Sequence, residues 1–129
     1  MTVSTPSSCM KALPFLILFA IAGCQKEATV SYAQDIKPIT DKYCIECHQV
    51  GGKGQVASGF SVASYADLMQ GTRNGPMVIA GDSMGSNMLV LMEGRADPSI
   101  KMPHGQSVSA SKAEIETLRL WIDQGAKDN

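Results

Sequence analysis

One short motif constrains this chain more than any other feature: residues 44–48 read CIECH, a Cys-x-x-Cys-His pattern. On a helical turn, residues three and four apart face the same side, so Cys44, Cys47 and His48 converge on one patch. Two thiols spaced in this way can form thioethers with the two vinyl groups on one edge of a porphyrin, and the histidine then reaches the iron. The motif therefore predicts one covalent haem c, with His48 as its proximal ligand.

Other uses of the two cysteines stay open from the residues alone. A thioredoxin-like thiol oxidoreductase places its Cys-x-x-Cys after a strand at the start of a helix, whereas a helix is predicted before this motif. A structural zinc site wants four ligands, and Cys44, Cys47, His48 and His104 lack the usual paired spacing. A plain structural disulfide is the third alternative in an oxidising compartment.

A six-coordinate haem iron needs a second axial ligand, and Met102 is the predicted one. It precedes Pro103, whose ring restricts the local backbone, in a loop that can carry the sulfur across the far face of the ring. His104 is the alternative ligand, while Met88 and Met92, four residues apart, are expected to form core or pocket wall. Two strong ligands leave no vacancy for a substrate, which predicts an electron carrier rather than an enzyme. An open distal site would instead predict a haem-based small-molecule binding or sensing module.

Helical periodicity is clear just before the motif. Tyr32, Ile36, Ile39 and Tyr43 recur at spacings of four, three and four, which predicts a helix with these residues on one face. Pro38 must lie in a first turn or at a bend, because proline donates no backbone hydrogen bond.

A second clear helix is predicted near the end of the chain. Ser111 and Glu114 have the spacing of a capping box, and Gly125 is placed to end the helix. Its apolar stripe consists of Ile115, Leu118, Trp121 and Ile122.

The residues between these two helices are predicted to be loops with short helices. Composition predicts a loop at residues 51–54 and a helix over 65–70 capped by Ser64, with Asp67 three residues on and Gly71 at its end. Residues 81–83 are predicted to start a further helix that runs to about Glu93. No strand pair is evident, so the fold class is all-α with long connections.

The first 23 residues differ from the rest. A weakly basic start and an apolar stretch of about 10 residues suit a secretory signal and fall short of the ~20 that a membrane span needs. Small residues then precede Cys24, as in a bacterial lipobox. We therefore expect a lipoprotein signal peptide at 1–23, lipid on Cys24, a tether at 24–31 and one domain at 32–127. The chain, with 129 residues and a net charge of -1, has no basic footprint for nucleic acid.

The order and spacing of several stretches resemble a known family. DIKPI at 35–39, CIECH at 44–48, GPMVIAGD at 75–82, KMP at 101–103, SKAEI at 111–115 and WIDQGA at 121–126 resemble class I c-type cytochromes, and more narrowly the planctomycete-type cytochrome c domain. The resemblance covers about residues 32–126. It implies a small cytochrome c-like fold whose terminal helices pack near Trp121 around one covalent haem c, with His48 and Met102 as iron ligands.

Together these observations predict a single-haem electron carrier, or an electron-transfer subunit of a redox complex. It would be exported and held by lipid on Cys24 at a bacterial membrane, facing the periplasm. Its partners would be redox proteins that donate and accept electrons, such as a membrane-attached dehydrogenase or oxidase.

Overall fold

The computed structural model describes residues 28–105 and 107–129, together with Met1. Within these ranges the helices are α1 (Lys37–Tyr43), α2 (Ile45–His48), α3 (Lys53–Ser58), α4 (Tyr65–Gln70), α5 (Asn87–Met92) and α6 (Lys112–Asp123). A π-helical turn, Tyr32–Ile36, precedes α1, and a 3-10 turn, Pro98–Ile100, follows α5. Over the described residues there is no strand beyond an isolated bridge between Thr72 and Gly75, which confirms the predicted all-α class.

The predicted N-terminal processing segment lies outside the described residues. This holds for residues 1–23 apart from Met1, for Cys24, and for the first half of the tether predicted at 24–31. In the part of the chain that is described, no helix is both long and apolar enough to cross a bilayer.

The predicted first helix is present in two parts. Its opening turn is π-helical, since the amide of Ile36 donates to the carbonyl of Ser31, five residues back, at 3.2 Å. α1 then begins at Lys37, and Pro38 lies in its first turn, where amides have no intrahelical partner to lose. The widened turn thus keeps the proline out of a helix interior. The predicted core positions of this segment are all buried: Tyr32, Ile36, Ile39 and Tyr43.

The last helix forms as predicted. The Ser111 hydroxyl accepts from the amide of Glu114 at 3.2 Å, and the Glu114 carboxylate accepts from the amide of Ser111 at 2.7 Å, which completes the capping box. Gly125 follows the helix with a φ of +99°, a conformation that favours glycine. Leu118, Trp121 and Ile122 are at most 1% exposed, so this face of α6 belongs to the core.

The helix predicted to start at residues 81–83 begins later, at Asn87. Ser83 does not cap it, because its amide and hydroxyl both donate to the carboxylate of Asp123 on α6, at 3.0 and 2.9 Å. Ser86 precedes the helix, and its hydroxyl donates to the carbonyl of Asp82 at 2.7 Å instead of capping. Long-range contacts to α6 therefore override the local start signal.

The loop predicted at residues 51–54 is also partly wrong, because α3 begins at Lys53 and includes Gly54. Glycine lowers helix propensity by about 1 kcal/mol relative to alanine, so composition alone favours a loop here. The helix ends at Gly59, whose φ of +83° is left-handed.

The terminal segments meet in an aromatic crossing formed by Tyr32, Tyr65 and Trp121. The rings of Tyr32 and Trp121 lie 5.8 Å apart between centroids, and Tyr65 meets Tyr32 edge to face at 5.2 Å. The Trp121 indole N–H donates to the carbonyl of Lys127 at 2.9 Å. This confirms the expectation that the first and last helices pack with Trp121 near their contact.

Asn129, the last residue, also binds the segment that leads into α1. The Asn129 carbonyl accepts from the hydroxyl of Ser31 at 2.7 Å and from the amide of Ala33 at 3.0 Å, and its side-chain oxygen accepts from the amide of Tyr32 at 2.9 Å. The backbone of residues 31–33 is thus fixed against the residues that follow α6.

Candidate cofactor site

An apolar cavity of about 410 Å³ lies between the CIECH turn, α3, α5 and the loop after Lys101. This volume is within the range of about 300–1,000 Å³ that is usual for ligand and cofactor pockets. The predicted residues Cys44, Cys47, His48 and Met102 all line it. The complete lining is Tyr43, Cys44, Cys47, His48, Lys53, Gly54, Ala57, Ser58, Phe60, Thr72, Met77, Met88, Leu91, Met92, Met102, Pro103 and His104.

α2 carries the motif as the spacing predicts. The amide of His48 donates to the carbonyl of Cys44 at 2.9 Å, which is the four-residue hydrogen bond of an α-helical turn. Cys44 separates α1 from α2, with φ −121° and ψ −38°. Both Cys44 and Cys47 are free thiols and half-buried at the cavity.

The imidazole of His48 is held by a backbone carbonyl. Its Nδ1 lies 3.1 Å from the carbonyl oxygen of Phe60. Because a carbonyl can only accept, Nδ1 carries the proton, and in the neutral ring the lone pair is on Nε2, the atom free to bind a metal. The Phe60 ring meets the imidazole edge to face at 5.2 Å. A carbonyl has no sequence signature, so this contact could not be predicted.

The hydroxyl groups that line the cavity already have partners within the protein. Ser58 donates to the carbonyl of Gly54 at 2.7 Å, and Thr72 donates to the carbonyl of Gly75 at 3.1 Å. Tyr43 donates to the carboxylate of Glu114 at 2.9 Å. The donor atoms that remain for a ligand are two thiols, the His48 Nε2 and several thioether sulfurs, and most of these are soft donors.

Met102 is placed more favourably than His104. Its side chain is half-buried against the core, whereas His104 is exposed at the rim. The Met102 amide donates to the carbonyl of Leu91, just inside α5, at 3.1 Å, which ties the loop to that helix. Met88 and Met92 are buried and also line the cavity, as the expectation of core or pocket wall requires. Met77 is a further thioether in the wall, and no sequence pattern singled it out.

The rival uses of the cysteines find no support in this geometry. Burial raises the pKa of the Cys44 thiol to about 12, with smaller contributions from Asp41 and Cys47, whereas a redox-active cysteine has a lowered pKa. Over residues 28–105 and 107–129, no group of three or more His, Cys, Asp or Glu side chains is arranged to hold a metal ion.

Gly54 brings the backbone of α3 unusually close to the imidazole. A β-carbon on Gly54 would lie 2.7 Å from Cε1 and 2.9 Å from Nε2 of His48, closer than real contacts allow. Because residue 54 has no side chain, the edge of His48 that carries the lone pair stays unobstructed. Thiols, an available imidazole nitrogen and thioether sulfurs in an apolar cavity are the donor set that suits a c-type haem.

Comparison with known proteins agrees with this donor set. Residues 44–106 match the family model described as Planctomycete cytochrome C. The matched stretch includes Cys44, Cys47, His48 and Met102, and thus both sides of the cavity. Among curated proteins and among solved structures, nothing matches.

Proposed function

This chain carries a planctomycete-type cytochrome c domain, and from that premise we propose that it is an electron carrier holding one covalent haem c. When bound, the haem supplies a one-electron couple between ferric and ferrous iron. The observation that carries the proposal is the convergence of Cys44, Cys47, His48 and Met102 on one apolar cavity.

On this proposal the CIECH turn attaches and orients the cofactor. Cys44 and Cys47 would hold the haem through thioethers, each made by adding a thiol S–H across one vinyl double bond, with the sulfur on one carbon and the hydrogen on the other. His48 offers Nε2 to the iron, and the Phe60 carbonyl fixes both the tautomer and the direction of the ring.

Met102 is the proposed distal ligand. Its half-buried position and the hydrogen bond to Leu91 support it over the exposed His104. A thioether favours ferrous iron and so raises the reduction potential relative to a second histidine. The satisfied hydroxyls and the methionine walls leave few groups to attract water, which also favours the less charged, reduced state.

We further propose that the domain is held close to a membrane. If Cys24 carries lipid after removal of a signal peptide, Ala28 follows it by four positions along the chain. A chain of that length spans at most about 14 Å when fully extended. The domain would then lie next to the lipid headgroups on the periplasmic side, within reach of a membrane-attached dehydrogenase or oxidase.

The partner is proposed to approach beside α3 with an acidic surface. Residues 47–66 contain no Asp or Glu, and within them Lys53 lines the cavity rim without a salt bridge in the described part of the chain. Arg73 adds a second cation there, since its guanidinium donates to the carbonyls of Val56 and Ala57 rather than to a carboxylate. Val56, 64% exposed, offers apolar contact between the two charges.

The central experiment asks whether haem is bound covalently and through which ligands. After expression with haem-maturation machinery, wild-type protein should give a haem-stained band on a denaturing gel, and Cys44→Ala/Cys47→Ala should give none. Met102→Ala should keep the stain but lose the weak long-wavelength absorption of sulfur bound to ferric haem, with a lower potential. Absence of stain in the wild type contradicts the proposal. Rapid carbon monoxide binding by the wild type would favour a haem-based sensor over a carrier.

Small redox reagents test the charge of the electron-transfer edge. Lys53→Glu should slow oxidation by anionic ferricyanide several-fold and speed oxidation by a cationic cobalt complex, more so at low salt. Lys112→Glu, an exposed site on α6 outside the cavity, is the matched control and should change neither rate appreciably. Equal effects of the two variants would contradict the proposed approach beside α3.

A further inference from the structure

The local backbone does not explain why residue 54 is glycine. It lies in the first turn of α3, and its φ is not positive, so no left-handed conformation calls for glycine. The hydroxyl of Ser58, four residues on, donates to the Gly54 carbonyl at 2.7 Å, a bond that serine side chains make within helices. An alanine here would improve helix propensity. Helix stability alone therefore favours alanine.

The surroundings of Gly54 explain the glycine instead. A β-carbon would meet Cε1 of His48 at 2.7 Å, its Nε2 at 2.9 Å and the carbonyl oxygen of Cys47 at 3.0 Å. The imidazole cannot move away freely, because its Nδ1 is held at 3.1 Å by the Phe60 carbonyl. The Cys47 contact is backbone and equally fixed. The extra carbon would thus press on the ring edge that carries the available lone pair.

We propose that Gly54 is a positioning residue that keeps the iron-facing edge of His48 open. The proposal rests on the function proposed above, in which Nε2 of His48 binds the haem iron. It assigns to α3 a role in ligation beyond packing: the helix approaches the imidazole closely enough to fix its position, and only glycine permits that approach without blocking Nε2. Glycine has a lower helix propensity than alanine, but it leaves Nε2 of His48 free to form the iron–nitrogen bond.

The test compares Gly54→Ala with Gln55→Ala, a change to alanine at the next position of α3, where the side chain does not line the cavity. Both variants retain Cys44 and Cys47, so haem stain on a denaturing gel should match the wild type. Gly54→Ala should lose at least half of the low-spin ferric signal in electron paramagnetic resonance and in the visible spectrum, and added imidazole should restore it. Gln55→Ala should keep the wild-type spectrum. An unchanged low-spin signal in Gly54→Ala overturns the proposal.

A second background separates the His48 contact from general damage to the fold. In His48→Ala protein the clash with the ring is removed, so adding Gly54→Ala should leave the melting temperature unchanged or raise it. If Gly54→Ala lowers the melting temperature as much there as in the wild type, the Cys47 carbonyl is responsible and the proposal is wrong. Absence of haem stain in the wild type itself would instead reject the proposed function, so the two failures are distinguishable.

Discussion

The aromatic crossing and the cavity satisfy their polar groups in different ways. At the crossing, the end of the chain supplies the partners: Asn129 bonds to the backbone of residues 31–33, and the Trp121 indole bonds to Lys127. At the cavity, hydroxyls are paired within the chain, while thiols, thioethers and the His48 imidazole line one apolar space. The crossing is held by hydrogen bonds within the chain, with the Tyr32 hydroxyl as an exception, and the cavity presents groups that suit a cofactor.

This difference assigns separate tasks to the two regions. Burial of Trp121, Leu118 and Ile122 at 1% exposure or less supplies apolar stabilisation that needs no ligand. At the cavity a ligand adds to the stability, because a ligand bound to the folded state alone shifts the folding equilibrium. The crossing should therefore control stability, and the cavity should control spectrum and potential.

The largest effect is expected from Trp121→Ala. Truncating a fully buried tryptophan costs about 3–5 kcal/mol, a large share of the about 5–15 kcal/mol that folded domains have. Urea unfolding should show this loss, while the potential of the folded protein should be little changed. Met77→Ala, in the half-buried cavity wall, is the matched comparison and should cost about 1 kcal/mol or less but lower the potential by admitting water. If Trp121→Ala mainly changed the potential and Met77→Ala mainly changed the stability, the two regions would not have the separate tasks assigned to them.

Where local signals agree with tertiary contacts, the sequence predicts the fold well. The capping box of Ser111 and Glu114 and the apolar stripe of α6 are both present, because cap and core face belong to the same helix. The start of α5 was misplaced because Ser83 bonds to Asp123, 40 residues away, and no local pattern encodes that choice.

The site follows the same rule. The convergence of Cys44, Cys47 and His48 comes from the geometry of one helical turn and was predictable. The Phe60 carbonyl and the close approach of Gly54 were not, because the first is backbone and the second depends on where α3 packs. The dense glycines at 51–54 were the available signal, but composition attributed them to a loop.

A smaller effect, of opposite sign, is expected at the crossing. The Tyr32 hydroxyl is buried and has no hydrogen-bond partner among the described residues, and burial chiefly raises its pKa above 10.0. Tyr32→Phe should therefore stabilise the protein by about 1 kcal/mol, seen as a melting temperature several degrees higher. Because the pKa is raised in the folded state, the wild type should lose stability as pH rises above 10, and the variant should lose less. A destabilised variant would show that the hydroxyl has a partner after all.

The smallest effect comes from the residue that joins the two regions. The Glu114 carboxylate caps α6 and accepts from the Tyr43 hydroxyl, which lines the cavity. The Ser111 amide first, then the Lys42 ammonium, lower the pKa of Glu114 to about 2. A carboxyl whose pKa is lowered by folding stabilises the protein above its unfolded pKa, here 4.5, and this contribution is lost as pH falls towards 2.

Glu114→Gln should accordingly be less stable than the wild type at neutral pH and lose less stability between pH 4.5 and 2, while the cap itself is kept because glutamine also serves in a capping box. Glu116→Gln, on the same helix but outside the cap, is the control and should leave the acid profile close to that of the wild type. The Soret band followed over the same pH range decides how separate the regions are. If it shifts in the wild type and not in Glu114→Gln, protonation at the α6 cap reaches the cavity through Tyr43, and the two regions are coupled at this one hydrogen bond.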